Sequence, residues 1–241
     1  INRRDVLTEI FDPDKLGVSF TVAGIATIFE VLVAIPLGIT AATHQYSIRD
    51  YVVTVLVLIG ISLPSCCFGQ MLKDIFANKL GWFPVSGISS GLTYDNALAE
   101  FADRVQHMFL PILTVVILSI GSRMRMTRTN MLEVLNSDYI RTARAKGLKE
   151  HTVIYKHAFR NTMIPLVTSL AGLIPSLFSG AMITEQVFDL PGMGKFALNA
   201  MTQVDIPVIM TYNMFLAALS VLGVLLADLM YAVVDPRVKL A

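Results

Sequence analysis

A few groups of residues in this 241-residue chain have types and spacings that could do chemistry. Gly87-Ile88-Ser89-Ser90-Gly91 fits G-x-S-x-G, the turn that presents a serine nucleophile when a strand enters it and a helix leaves it. Trp82 and Pro84 precede it and no strand-rich stretch surrounds it, so it reads as a flexible Gly/Ser loop. His44, His107, His151 and His157 show neither H-E-x-x-H nor clustered ligand spacing, which disfavours a membrane metalloprotease and any metal site. Gly194-Lys195 leads into Phe196, and Asp189 stands where a phosphate-binding loop would start with glycine. Cys66 and Cys67 are adjacent in an apolar run and read as small apolar fillers rather than a redox or metal pair. No catalytic residue and no bound cofactor is expected, and any use of ATP must be borrowed from a partner. Glu30 and Asp228 lie within or beside apolar spans, where an acid faces a bundle interior or a cavity. Both read first as buried, hydrogen-bonded structural acids. A place in a substrate path is the alternative, more for Glu30 than for Asp228.

The elements that must position these residues are membrane helices. The chain is 54% hydrophobic and 15% charged, against roughly 25% charge in soluble domains, with mean hydropathy +0.64. A net charge of +1 excludes a nucleic-acid partner drawn by bulk electrostatics. Hydrocarbon about 30 Å thick needs about 20 apolar residues per helix, and five stretches meet or approach this: 16–43, 51–72, 105–122, 162–184 and 206–227. The fold class is therefore all-α, a polytopic membrane helix bundle. Pro36, Pro64, Pro111, Pro165 and Pro175 fall in or at the ends of these runs, where freed backbone groups need neighbours or a wet cavity. No internal repeat is visible, which gives no support to an inverted-repeat secondary transporter.

Basic residues set the direction, because lysine and arginine concentrate on the cytoplasmic side. Segments 44–50, 123–161 and 228–241 together hold 12 of them, nine in 123–161 alone; segments 1–15, 73–104 and 185–205 hold 7. Loop 123–161 and the C-terminus are placed inside, although Arg3, Arg4 and Lys15 pull weakly the other way. Residues 1–15 then form the end of an external segment and 235–241 a cytoplasmic tail. An outside start, at Ile1 rather than Met, implies a preceding helix and a six-helix parent.

Within 123–161, Leu132, Leu135, Tyr139 and Ala143 recur at spacings of three and four, marking an amphipathic helix opposite Arg128, Glu133, Arg141 and Arg144. Ala143, Ala145 and Gly147 are small, and Gly147 can end a short helix. So short a helix is marginal alone and must dock. It either lies on anionic lipid or enters a groove on a cytoplasmic partner, which small residues favour.

The run DYIRTARAKGL, then HAFRN and Pro165, resembles the cytoplasmic loop of permeases in binding-protein-dependent ABC importers, most closely the peptide/nickel branch. The likeness continues in order through PLGITAA, SLPS, LGWFPVSG, the pair Arg125 and Arg128 before MLEVL, EQVFDLPGMG and DLMYAVVDPR, over more than 200 residues. The wider superfamily has Glu-Ala-Ala and a later Gly where this chain has Arg141, Thr142, Ala143 and Gly147. Phe159 and Arg160 replace its Leu-Pro pair. Both departures are typical of the peptide/nickel branch. Cys66 and Cys67 stand where that branch has bulkier residues.

The resemblance implies a type I importer transmembrane domain over 16–234 in a bacterial inner membrane. It implies a homologous second permease, two ATPase subunits using ATP and Mg, and an external substrate-binding protein. Asp138, Tyr139, Arg141, Thr142, Ala143, Arg144, Ala145, Lys146 and Gly147 would form the ATPase-coupling helix. Glu185, Phe188, Pro191 and Gly192 would be outer-gate candidates, with an interfacial turn anchored by Phe188 as the other reading. Peptides are the expected cargo, with nickel complexes, glutathione or another small solute as alternatives. A secondary transporter or an intramembrane protease is remote.

Overall fold

The computed structural model describes residues 6–92, 94, 96–170 and 172–234, and no strand occurs among them. Helix α1 (Val6–Ile10) leads into α2 (Pro13–Thr43). Pro13 fits a first helical position because its missing N–H would lack a partner there anyway. Asp12 caps the start, its carboxylate accepting the Asp14 amide at 3.1 Å. Pro36 removes one bond inside α2. One turn on, the Thr40 hydroxyl donates to the Pro36 carbonyl at 2.8 Å. Thr21, Ser62, Thr114 and Thr211 make the same bond four residues back, which keeps their hydroxyls satisfied in an apolar surrounding.

Next come α3 (Ile48–Ser62), α4 (Ser65–Leu72) running on as a π-helical stretch Lys73–Lys79, and α5 (Ala97–Leu135). At 1.5 Å per residue the 39 residues of α5 extend about 58 Å, nearly twice the hydrocarbon thickness, so the helix must project beyond it. Then follow α6 (Asp138–Ala145), α7 (Glu150–Thr152) with a π-helical turn Val153–Phe159, α8 (Arg160–Leu170), α9 (Leu173–Ser179), α10 (Met182–Val187), α11 (Met193–Thr202) and α12 (Ile206–Val234).

Among the described residues, three helical stretches are long and apolar enough to cross a membrane: Thr8–Thr43, Ala97–Leu135 and Ile206–Met230. The stretches 51–72 and 162–184 are helical but interrupted. Pro64, which cannot donate a helical bond, separates α3 from α4, and Gly172 lies between α8 and α9. The amphipathic pattern through Leu132 and Ala143 is also divided. Ser137 adopts extended backbone and bonds the Val134 carbonyl at 2.6 Å, so Leu132 and Leu135 end α5 while Tyr139 and Ala143 belong to α6.

The chain forms two compact units. The first draws on residues up to Phe29, Leu63–Leu118 and Ile174–Leu219. Its core gathers Val18, Val22, Leu110, Phe188 and Leu190, with a second cluster around Ile10, Met193 and Tyr212. The second draws on Glu30–Ser62, Ser119–Leu173 and the stretch from Ser220. There α2 and α5 touch closely: a Cβ on Gly38 would lie 2.7 Å from Thr127 Cβ and 2.9 Å from the Met124 carbonyl. Buried Ala34 and Ala41 line the same face, the small-residue packing that joins helices in lipid. Ile28, Leu32, Met214, Val221 and Leu225 are exposed, as suits helices whose solvent is hydrocarbon.

Candidate functional site: the basic loop and the buried carboxylates

In the second unit, the charged end of α5 is anchored by two ion pairs. Arg123 Nε donates to Glu30 Oε1 at 2.9 Å, and its Nη1 donates to Ser169 Oγ at 2.7 Å. The Glu30 side chain is 8% exposed, so its charge is buried and paired. Arg128 grips Asp50 with two parallel bonds of 3.0 and 2.9 Å, the strong bidentate arrangement. Burial alone would push the Asp50 carboxyl up; Arg128 and the Tyr46 amide outweigh it and hold Asp50 below the usual carboxylate range. Of the Arg125 and Arg128 motif, only Arg128 is paired with a buried carboxylate; the other such guanidinium is Arg123, while Arg125 is exposed. Asp228 is exposed on α12, which corrects the expectation that it is buried.

Beyond α5, helix α6 carries Asp138 in its first turn and Arg144 in its last, both complementary to the helix dipole. Gly147 ends it with φ +73, its amide donating to the Arg144 carbonyl at 2.9 Å. Arg144 closes on Glu150 beyond that turn with bonds of 2.7 and 3.3 Å, and this holds Glu150 below its ordinary range. Tyr139 Oη accepts from Asn161 Nδ2 at 2.9 Å.

The buried face of α6 is Ile140 and Ala143, packed with Ile39, Met131, Val153 and Ala158. Ala143, expected to enter a partner's groove, is therefore 8% exposed inside this chain's own core. Tyr139, Arg141, Thr142, Ala145 and Lys146 form the exposed face.

In the first unit, Glu185 is fully buried. Its carboxylate accepts Ser19 Oγ at 2.8 Å and the amides of Gly194 and Lys195, the latter at 2.9 Å. It thus caps the N-terminus of α11, where an anion meets free amides and the positive end of the dipole. Burial nevertheless pushes the Glu185 carboxyl up, more than these bonds lower it. A Cβ on Gly180 or Gly192 would collide with the carboxylate, so both positions need glycine. Phe188 is 2% exposed and sits in the core with Val18, Leu110 and Leu190. Its ring is enclosed by this chain's own side chains. Pro191 is exposed and Gly192 buried.

The hydrolase-like motif lacks the geometry of a nucleophile elbow. Ser89 is exposed on a loop, and the adjacent Ser90 donates to Asp103 at 2.8 Å. Asp103 also lies 3.4 Å from His107. The acid thus stands between serine and histidine, whereas a triad needs the histidine between serine and acid. Cys66 and Cys67 are exposed, not apolar fillers, with their sulfurs 3.8 Å apart beside an open hollow of about 620 Å³ that Met71 and Asp74 also line.

The model of the family described as binding-protein-dependent transport system inner membrane component matches residues 34–240. The chain belongs to this family. Relatives in it include the oligopeptide transport system permease protein AppB of Bacillus subtilis (strain 168), 41% identical over 215 residues, with 89% of this chain and 67% of the relative covered. The dipeptide transport system permease protein DppB of Escherichia coli (strain K12) is 38% identical over 231 residues, covering 89% of this chain and 68% of that protein. DppB of Bacillus subtilis (strain 168) is 35% identical over 223 residues, covering 92% and 68%. This member of the inner membrane component family thus spans about two thirds of their length. It also superposes on a chain of the MetNI methionine ABC transporter in inward-facing conformations, with TM-score 0.70, 14% identity and coverage of 96% and 99%. An amino acid ABC transporter chain matches with TM-score 0.59 and 14% identity, covering 92% and 94%. These two likenesses establish the fold, an all-α membrane bundle of the ABC transporter kind.

Proposed function

We infer that this chain is a permease subunit of an ATP-driven ABC importer, forming half of a path for oligo- or dipeptides across the bacterial inner membrane. The observation that carries this reading is that relatives named as oligopeptide and dipeptide permeases align over 89% or more of the chain. The chain pairs with a homologous second permease. An external binding protein delivers the peptide, and two ATPase subunits supply the work by binding ATP and Mg. The chain itself does no covalent chemistry.

The excess of basic residues puts 123–161 and the C-terminus in the cytoplasm and 73–104 outside. Helix α6 is then the contact through which the ATPases drive the bundle. Ile140 and Ala143 fix it to a core shared with α2 and α5, and the Arg144–Glu150 clamp closes its C-terminal turn. A helix held on both sides transmits a push instead of yielding to it. The face that meets the ATPase is Tyr139, Arg141, Thr142, Ala145 and Lys146.

Uptake of labelled di- and tetrapeptides in cells carrying the complete importer, with and without this chain, tests the cargo. Loss of peptide uptake on deletion, restored by the gene, is expected; a defect confined to nickel or glutathione uptake would overturn the peptide assignment. Sidedness is tested separately. In intact cells an impermeant thiol reagent should label Ser89→Cys and spare Asn136→Cys, both exposed positions, and the opposite pattern would invert the topology.

A further inference from the structure

The turn between α2 and α3 is tightly built yet displays bulky apolar side chains. Tyr46 adopts left-handed backbone, φ 60, a region costly for any residue with a side chain. Its amide donates to Asp50 Oδ2 at 3.2 Å, and both oxygens of Asp50 are taken by Arg128. Ser47 Oγ donates to the His44 carbonyl at 2.6 Å and accepts the Asp50 amide at 3.3 Å, so Ser47 caps α3 while closing the turn. The shape is therefore over-determined by side-chain bonds and an ion pair. Even so, Tyr46 is 80% exposed and Ile48 82%, and neither joins a core of this chain. Stored backbone strain with apolar groups held out to the surroundings marks a binding element.

What it binds follows from its neighbours. His44, Gln45 and Tyr46 line one side of a polar hollow of about 530 Å³, and Asn136, Arg144 and Glu150 line the other. Asn136 directly precedes α6, and Arg144 with Glu150 is the clamp that closes its C-terminal turn. The turn and α6 thus form one continuous surface across the hollow. Tyrosine also anchors at membrane interfaces, but this hollow sets His44, Asn136 and the Arg144–Glu150 ion pair beside Leu132, Leu135 and Ile154, a mixed lining that suits a protein surface better than lipid chains.

We propose that the turn His44–Ile48 is a second docking element for the ATPase subunit that α6 contacts, with Tyr46 as its anchor. The proposal rests on the reading of α6 as the ATPase contact. One short helix gives a partner a single point about which it can rotate; a second point fixes the direction of the push. Because Asp50 and Arg128 tie the turn to α5, movement of the ATPase at Tyr46 reaches α3 and α5 together.

Tyr46→Gly isolates this role, since glycine takes positive φ freely and the turn should keep its shape without strain. In the assembled importer, Tyr46→Gly should leave permease abundance and melting temperature at or above the parent's. ATPase subunits should be released at least roughly tenfold more readily, as expected when a buried aromatic anchor is lost, and uptake should fall with them. Unchanged ATPase retention in Tyr46→Gly, while Thr142→Glu on α6 abolishes it, would overturn the second docking element and leave the α6 reading intact. If neither variant alters retention, the α6 reading falls as well. A fluorophore on Gln45→Cys, exposed beside the intact anchor, supplies the remaining arm: shielding by the ATPase supports the proposal, whereas quenching by brominated lipid without shielding makes the turn a membrane anchor and overturns it.

Discussion

Ser19 Oγ donates to Glu185 Oε1 at 2.8 Å and accepts the amide of Met193 at 2.7 Å, joining α2 to the capped start of α11 across 174 residues. Ser19→Ala leaves a buried acceptor and a buried amide short of a partner, which costs roughly 1–3 kcal/mol. Thermal unfolding of the purified subunit should register this as a lower melting temperature with unchanged helix content.

The same carboxyl gives a pH signature. Burial raises the folded Glu185 value above its unfolded one. Its contribution to stability is therefore complete below the ordinary glutamate pKa of about 4.3 and is lost as pH rises through the raised folded value. Glu185→Gln cannot ionise, so melting temperature measured from pH 4 upward should fall less with pH than in the parent. Parallel curves for the two proteins would show that Glu185 does not titrate differently on folding.

Phe188 was a candidate gate residue, but its ring fills a core. Phe188→Ala should destabilise the first unit by about 3–5 kcal/mol, seen as lower abundance and earlier thermal unfolding, with Phe188→Leu much milder. Uncoupled ATP hydrolysis in a subunit of normal stability would contradict this placement.

Ala143 and Thr142 are adjacent and should behave oppositely. Ala143→Glu puts an unpaired charge into the core under α6, with a penalty of several kcal/mol, and should expose 138–150 to limited proteolysis. Thr142→Glu lies on the exposed face and should leave proteolysis unchanged while impairing ATPase co-purification. Gly147→Val should loosen the turn, because φ +73 is strained for a β-branched residue.

Breaking one side of the Glu30–Arg123 pair leaves the other charge buried, at about 3–5 kcal/mol, whereas Glu30→Gln with Arg123→Gln removes both charges. The double variant should recover much of the stability lost by Arg123→Gln alone. Strictly additive losses in thermal unfolding would mean the two side chains do not depend on each other.

Much of this protein was legible from residue order, because helix formation and transfer into lipid depend on runs of neighbours. Apolar runs between 16 and 227 coincide with helices, α6 begins at Asp138, and Gly147 takes the positive φ that a helix-ending glycine provides. The cluster of nine basic residues in 123–161 is likewise a property of composition. Periodicity marked 132–143 as amphipathic but carried no information on what its apolar side would meet. Only the tertiary structure turned Ala143 inward, because Ile39 of α2 and Met131 of α5 already form a core there. The partners of the buried charges were equally hidden. Glu30 finds Arg123 over 93 residues, and Asp50 finds Arg128 over 78. Such pairings are set by where helices cross, and the crossing of α2 and α5 depends on the close approach that Gly38 permits. A local window encodes which residues can ionise; the packed bundle decides which of them are buried and must be paired.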